Sequence, residues 1–131
     1  MDEAEKTIVI LEPDTDERCV LCGVLRSEGF RTIEKRSLED ITAFLDSSSP
    51  LAAILDIDMA EINNRKVREL TTRYPGVIFL GVSTRRFHPD LKDAICYHMY
   101  ACLRKPVDPD EIIYFISSIY ADSNEGGATS V

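Results

Sequence analysis

Acidic, hydroxyl and lysine side chains directly follow the apolar runs of this sequence, where chemistry would be expected. Carboxylates supply the oxygen ligands that divalent cations prefer, and hydroxyl and ammonium groups can donate hydrogen bonds to phosphoryl oxygens. An aspartate can also accept a phosphoryl group covalently. Acidic side chains that crowd together without a cation raise each other's pKa, which favours a functional cluster over a purely structural one. The residues are Glu12 and Asp14 after the first run, Asp56 and Asp58 after the third, Ser83 after the fourth, and Lys105 after the last.

These residues must be positioned by short strands that alternate with helices. Segments with the spacing of amphipathic helices lie between the apolar runs. The alternation predicts an α/β fold, a flavodoxin-like doubly wound sheet of five parallel strands in the order 2-1-3-4-5 with five helices. Ligands bind such sheets beyond the carboxyl ends of the strands, where all the candidate residues lie. The predicted strands are Thr7–Leu11, Arg31–Glu34, Leu51–Leu55, Val77–Val82 and Ala101–Leu103.

Helix boundaries are marked by capping residues. Asp14 with Glu17 is typical of a capping box, and Gly29 lies where the first helix should end. Asp108-Pro109 predicts the start of a last helix that includes Ile112–Tyr120. We therefore expect one domain over residues 1–121, followed by a flexible tail or linker at 122–131, which is small and polar with two glycines.

Size and charge restrict the function further. The chain has 131 residues, 44% of them hydrophobic, and a net charge of −8. This charge argues against direct contact with nucleic acid, which is bound by clustered Lys and Arg. The acidic start lacks the features of a signal peptide, and no apolar run approaches the roughly 20 residues that cross a bilayer. We expect a cytoplasmic protein with no membrane segment and four reduced cysteines, in which Cys19 and Cys22 form neither a redox nor a zinc site.

The order and spacing of these motifs resemble response-regulator receiver domains of two-component signal transduction, of the chemotaxis-regulator type, from about Thr7 to Tyr120. The segment Leu55–Met59 is similar to the phosphoacceptor segment of that family. Ser83 falls at the conserved hydroxyl position, and Lys105-Pro106 matches the conserved lysine and the following, usually cis-linked, proline.

The resemblance implies a phosphorelay function. Asp56 would accept a phosphoryl group from a sensor histidine kinase while Mg²⁺ shields the charge, and Lys105 and Ser83 would contact the phosphoryl oxygens. The metal ligands would be Glu12, Asp56 and Asp58. Output would pass through the face of the fourth predicted helix, the fifth strand and the fifth helix, to a fused or separate output domain or a homodimer. The only enzymatic activity that we expect is weak self-dephosphorylation.

Two departures from the family pattern bear on this expectation. Two adjacent acids usually follow the first strand, and here they are Glu12 and Pro13, so a metal ligand is missing and Mg²⁺ should bind weakly. Asp14 either replaces it or only caps the first helix. Cys102 stands where the family tends to carry a switching aromatic residue.

Two other functions stay open. One is a pseudo-receiver, a binding module that acts without phosphorylation because its acid pair is incomplete. The other is a phosphatase similar to haloacid dehalogenases, since Asp56-x-Asp58 followed by Ser83 and Lys105 resembles the motif order of that family. In those enzymes, however, the acid pair ends the first core strand and a later acid pair is needed.

Overall fold

The computed structural model describes residues 6–85 and 98–129. Within them lies a five-stranded parallel sheet in the order β2-β1-β3-β4-β5, which confirms the predicted doubly wound, flavodoxin-like topology. The strands are β1 (Thr7–Leu11), β2 (Arg31–Lys35), β3 (Ala52–Asp56), β4 (Ile78–Ser83) and β5 (Ala101–Arg104). The helices are α1 (Thr15–Ser27), α2 (Leu38–Ser47), α3 (Asn64–Arg73) and α4 (Pro109–Thr129).

Two apolar layers sandwich the central strands. Successive residues of a strand point to opposite faces, so Ile8 and Ile10 of β1 pack in one layer and Val9 and Leu11 in the other. The first layer also contains buried residues of α1 and α4, and the second contains those of α2 and α3. Strands β1 and β3 are buried along their whole length, as expected for parallel strands covered on both faces.

Each of the first three helices begins at a side chain that caps it. Asp14 accepts a hydrogen bond from the Glu17 amide, Ser37 accepts one from Asp40, and Asn63 accepts one from Lys66. Gly29, after the end of α1, has a φ of 90°, which only glycine adopts without strain. The predicted first-helix boundaries are therefore confirmed, and the tight turns return each helix to the next strand.

The last helix extends further than predicted. It continues past Tyr120 to Thr129, through much of the stretch that we expected to be a tail. No proline interrupts residues 121–129, so nothing blocks the helical hydrogen bonds there. The fourth of the five predicted helices, for which Leu91 and Ile95 give the helical spacing, lies outside the described residues. No helix in the described ranges is both long and apolar enough to cross a membrane.

Gly29 offers a test of the turn that follows α1. We expect Gly29→Ala to lower the free energy of unfolding by about 1 kcal/mol, because a β-carbon is strained at positive φ. Gly23→Ala is the matched control, since Gly23 is exposed within α1 and a β-carbon there meets no atom within 4 Å. That variant should gain about 0.5–1 kcal/mol from helix propensity. Urea unfolding measures both, and equal effects would contradict the assignment of the turn.

Candidate functional site

The predicted site residues come together at one edge of the sheet. Glu12, Ser83 and Lys105 stand at or just after the ends of β1, β4 and β5, and Asp56 ends β3. All of these strands are parallel, so their carboxyl ends share that edge. The edge holds two connected groups of side chains, one centred on Lys105 and the other on Asp58.

Lys105 lies between two buried carboxylates. Its Nζ is 2.7 Å from Glu12 Oε1 and 3.3 Å from Asp56 Oδ2, and the three side chains are 10%, 0% and 7% exposed. The Lys105 amide donates a 2.7 Å hydrogen bond to the Ser83 carbonyl, and the peptide bond to Pro106 is cis. Burial alone would lower the pKa of Lys105, but Glu12 and Asp56 outweigh it and raise the pKa. The lysine is therefore a fixed positive charge beside Asp56.

Glu12 is a charged group taken almost wholly out of water. Burial raises its pKa, and the contact with Lys105 and a 2.9 Å hydrogen bond from the Asp14 amide to Oε2 offset part of that rise. Its Oε1 accepts no well-aligned hydrogen bond within the described chain, so the short contact with Lys105 acts as an ion pair. Removing one partner of such a pair would leave an uncompensated buried charge.

The second group centres on the Asp58 carboxylate. Ser83 Oγ donates to Asp58 Oδ1 at 2.6 Å, and both the amide and the hydroxyl of Thr84 donate to Oδ2, at 2.8 and 2.9 Å. The Asp58 amide in turn donates to Asp56 Oδ1 at 3.0 Å, which joins the two groups. Burial would raise the pKa of Asp58, but these donors and the charge of Lys105 outweigh it and hold the pKa below 3.8. Asp58 is thus an ionised acceptor that ties the end of β3 to the end of β4.

Three further residues contribute contacts to the site that were not predicted from the sequence. Thr84 raises the number of hydrogen bonds that the Asp58 carboxylate accepts from the end of β4 from one to three. Arg18 donates a 2.8 Å hydrogen bond to the Glu12 carbonyl, and Glu17 Oε1 accepts one of 3.1 Å from the Val107 amide. Glu17 was visible as part of the predicted capping box, but its carboxylate does not close that box, because the Asp14 amide already donates to Glu12. The first turn of α1 instead supports the loops that carry Glu12 and Lys105.

The predicted metal ligands do not form a preformed cation site. Glu12 and Asp56 face Lys105, both oxygens of Asp58 accept hydrogen bonds, and Asp14 Oδ1 caps α1. In the described ranges, no three acidic, cysteine or histidine side chains could together hold a metal ion. The side chains present do not fit Mg²⁺ in this arrangement, since a hard cation needs free oxygen ligands.

The cysteines of the described residues are free thiols. In α1, Cys22 is buried and Cys19 is exposed. Cys102, on β5, packs partly buried against the layer of α2 and α3. Burial, with a smaller effect from the charge of Asp58, raises the pKa of the Cys102 thiol to about 11, so it stays protonated at neutral pH.

Comparison with known proteins identifies the fold. No family model matches the sequence, and no curated protein matches it. Among solved structures, a CheY-like response regulator receiver domain protein from Methanospirillum hungatei superposes with a TM-score of 0.80 at 17% identity, over 92% of this chain and 97% of that one. A response regulator from Thermotoga maritima gives 0.78 at 14%, over 88% and 97%. NtrX from Brucella abortus gives 0.80 at 20%, over 95% of this chain and 28% of the longer NtrX chain. The chain has the fold of response-regulator receiver domains, which confirms the predicted resemblance at the level of the fold.

Pro13 provides a test of the incomplete acid pair. We expect weak Mg²⁺ binding by the unmodified chain and binding tighter by about tenfold or more in Pro13→Asp, since added ligand charge strengthens binding of hard cations. Pro13→Asn is the neutral control and should stay weak. Titration calorimetry measures all three. Equal affinities would show that Asp14 or backbone carbonyls already complete a site.

Asp58 provides a test through pH. A depressed carboxyl pKa contributes stability that is present above the unfolded-state pKa, near 3.8, and is lost as pH falls through the lower folded-state value. We expect Asp58→Asn to lower the free energy of unfolding by about 1 kcal/mol at pH 6. The gap, which is the difference in unfolding free energy between wild type and variant, should narrow below pH 3.8. Urea unfolding across that range measures the gap. A gap that stays constant with pH would contradict an ionised Asp58.

Proposed function

We propose that this chain is a cytoplasmic phosphoacceptor signalling domain, in which Asp56 receives a phosphoryl group from a sensor histidine kinase. The observation that carries the proposal is the position of Lys105 Nζ, 3.3 Å from Asp56 Oδ2 in a nearly buried setting. A nucleophile and a fixed cation side by side are what transfer of a charged group requires, because the cation compensates charge that develops on the phosphoryl oxygens. The receiver fold supports the same conclusion.

The transfer would exchange one covalent bond for another. An oxygen of the Asp56 carboxylate attacks phosphorus, the bond from phosphorus to the donor histidine nitrogen breaks, and an acyl phosphate forms on Asp56. Lys105 stays protonated throughout and balances the added negative charge. Glu12 also contacts the ammonium group of Lys105, at 2.7 Å, and this contact would keep the cation beside Asp56.

Hydrolytic turnover has less support. A phosphatase of the haloacid dehalogenase kind would use the second aspartate of its Asp-x-Asp pair as an acid and base, but the Asp58 carboxylate is engaged by Ser83 and Thr84. Its lowered pKa also makes it a poor proton donor at neutral pH. The site therefore suits formation of a stable adduct better than catalytic release of phosphate.

A phosphorylation-independent binding module is the second candidate. It is favoured by the contact of Lys105 with Glu12, which is shorter than the contact with Asp56, and by Pro13 in place of an acid. In that case Lys105 would permanently neutralise the crevice, and the domain would present one fixed surface. Magnesium would then have no part in its action.

The partners that we propose are proteins. The net charge of −8 favours a partner with a basic surface and disfavours direct contact with nucleic acid. On the side of β5 and α4, Tyr114 and Tyr100 are 66% and 46% exposed, and both rings contact Phe115 edge to face. Exposed aromatic residues are enriched at interfaces, so an output domain or a second copy of the chain would bind there. NtrX shows the receiver fold within a longer chain.

Labelling with a small acyl phosphate tests the proposal. We expect the intact mass to increase by one phosphoryl group in buffer containing Mg²⁺, and Asp56→Asn to lose the label completely because the amide is not a nucleophile of this kind. Asp40→Asn, an exposed position in the first turn of α2, is the control and should label normally. Peptide mapping locates the adduct. No adduct with either the acyl phosphate or a phosphorylated histidine kinase, or an adduct elsewhere, would favour the fixed binding module.

A further inference from the structure

The segment after β4 is held by a carboxylate from the neighbouring strand. Asp58 accepts hydrogen bonds from the hydroxyls of Ser83 and Thr84 and from the Thr84 amide. Ser83 is fully buried, so its hydroxyl cannot exchange this partner for bulk water. Ser83 Oγ also accepts a 3.0 Å hydrogen bond from the Arg85 amide, so one carboxylate fixes the backbone from Ser83 to Arg85.

A hydroxyl group has a single hydrogen to donate. While Ser83 donates it to Asp58, it cannot donate to an oxygen of a phosphoryl group on Asp56, and the same holds for Thr84. The Asp58 carboxylate and a phosphoryl group are both ionised acceptors of strong hydrogen bonds, so they compete for the same hydrogen atoms. The two possible acceptors are therefore mutually exclusive partners of the same donors.

The backbone also connects the two acceptors. The Asp58 amide donates to Asp56 Oδ1, so a covalent change at the Asp56 carboxylate alters a direct contact of Asp58. Asp58 thus lies between the proposed modification site and the segment that would respond to it. A rearrangement of Asp58 would release two hydroxyls and one amide of that segment together.

We propose that Asp58 is a clamp that holds residues Ser83 to Arg85 in one arrangement and must open before Ser83 can bind a phosphoryl group on Asp56. The clamp is a property of the unmodified protein, and its opening rests on the proposed function. It sets a threshold for the response, because the phosphoryl group gains the donors only at the expense of the contacts with Asp58.

Hydrogen exchange measured by NMR on the full chain tests the clamp without any phosphoryl donor. We expect the amides of Thr84 and Arg85 to exchange about tenfold faster in Asp58→Ala, since a bond to a charged acceptor is lost. The matched control is Asp46→Ala, which removes an aspartate that accepts hydrogen bonds from Tyr74 and Arg73 across α2 and α3. In that variant, the exchange rates of the Thr84 and Arg85 amides should be unchanged relative to those of the core amides of β1. Unchanged exchange in Asp58→Ala would overturn the clamp.

The same amides, measured after labelling with an acyl phosphate, test its opening. Labelled wild type should approach the exchange rates of unlabelled Asp58→Ala, because the phosphoryl group takes the donors of this segment from Asp58. Wild type that takes the label at Asp56 while Thr84 keeps its slow exchange would overturn the opening step and leave the proposed function intact. Wild type that takes no label would contradict the proposed function, and faster exchange in Asp58→Ala would then support Asp58 as a fixed clamp.

Discussion

The site depends on one buried cation that serves two buried carboxylates. The ammonium group of Lys105 contacts both Glu12 and Asp56, and none of the three side chains is more than 10% exposed. Such an arrangement is stable only if the surrounding groups are held in place. When the contact geometry is poor, the free-energy cost of removing charges from water exceeds the gain from their mutual attraction. This explains why the first turn of α1 supports both loops, through Arg18 at the Glu12 carbonyl and Glu17 at the Val107 amide.

The fold was predictable from sequence because its causes are local and repetitive. Apolar runs, helical spacing and capping residues each report on a few neighbouring residues, and the right-handed crossover rule then restricts the topology. The same reasoning predicted one edge of the sheet as the position of Glu12, Asp56, Ser83 and Lys105, and the structure places them there. The end of the last helix was not predicted because residues 121–129 are mostly small or polar and include two glycines, although no proline stops the helix there.

The contacts of the site were not predictable, because they depend on side-chain rotamers across loops from different elements. A carboxylate after β3 could face a cation, cap a helix or bind the end of β4. The amino-acid type and its position in the sequence are the same in all three cases. Asp58 faces Ser83 and Thr84 rather than joining Glu12 and Asp56, so an expected metal ligand holds the end of β4. The Glu17 carboxylate likewise accepts a hydrogen bond from the Val107 amide and not from the Asp14 amide that the capping box predicts. The Asp14 amide donates to Glu12 instead.

The small side chain at position 102 limits how a signal could leave the site. Cys102 lies close enough to Asp58 for the charge of that carboxylate to raise the pKa of the thiol, and it packs against the core. A thiol has few rotamers and little surface, so exchanging it between buried and exposed positions would change little contact area. In a domain that signals as proposed, the moving part would then be the backbone after β4, where Ser83, Thr84 and the Arg85 amide share the donors and acceptors that Asp58 holds together. A ligand or modification shifts such an equilibrium only through contacts that differ between its states, and the contacts that differ here are hydrogen bonds rather than an aromatic surface.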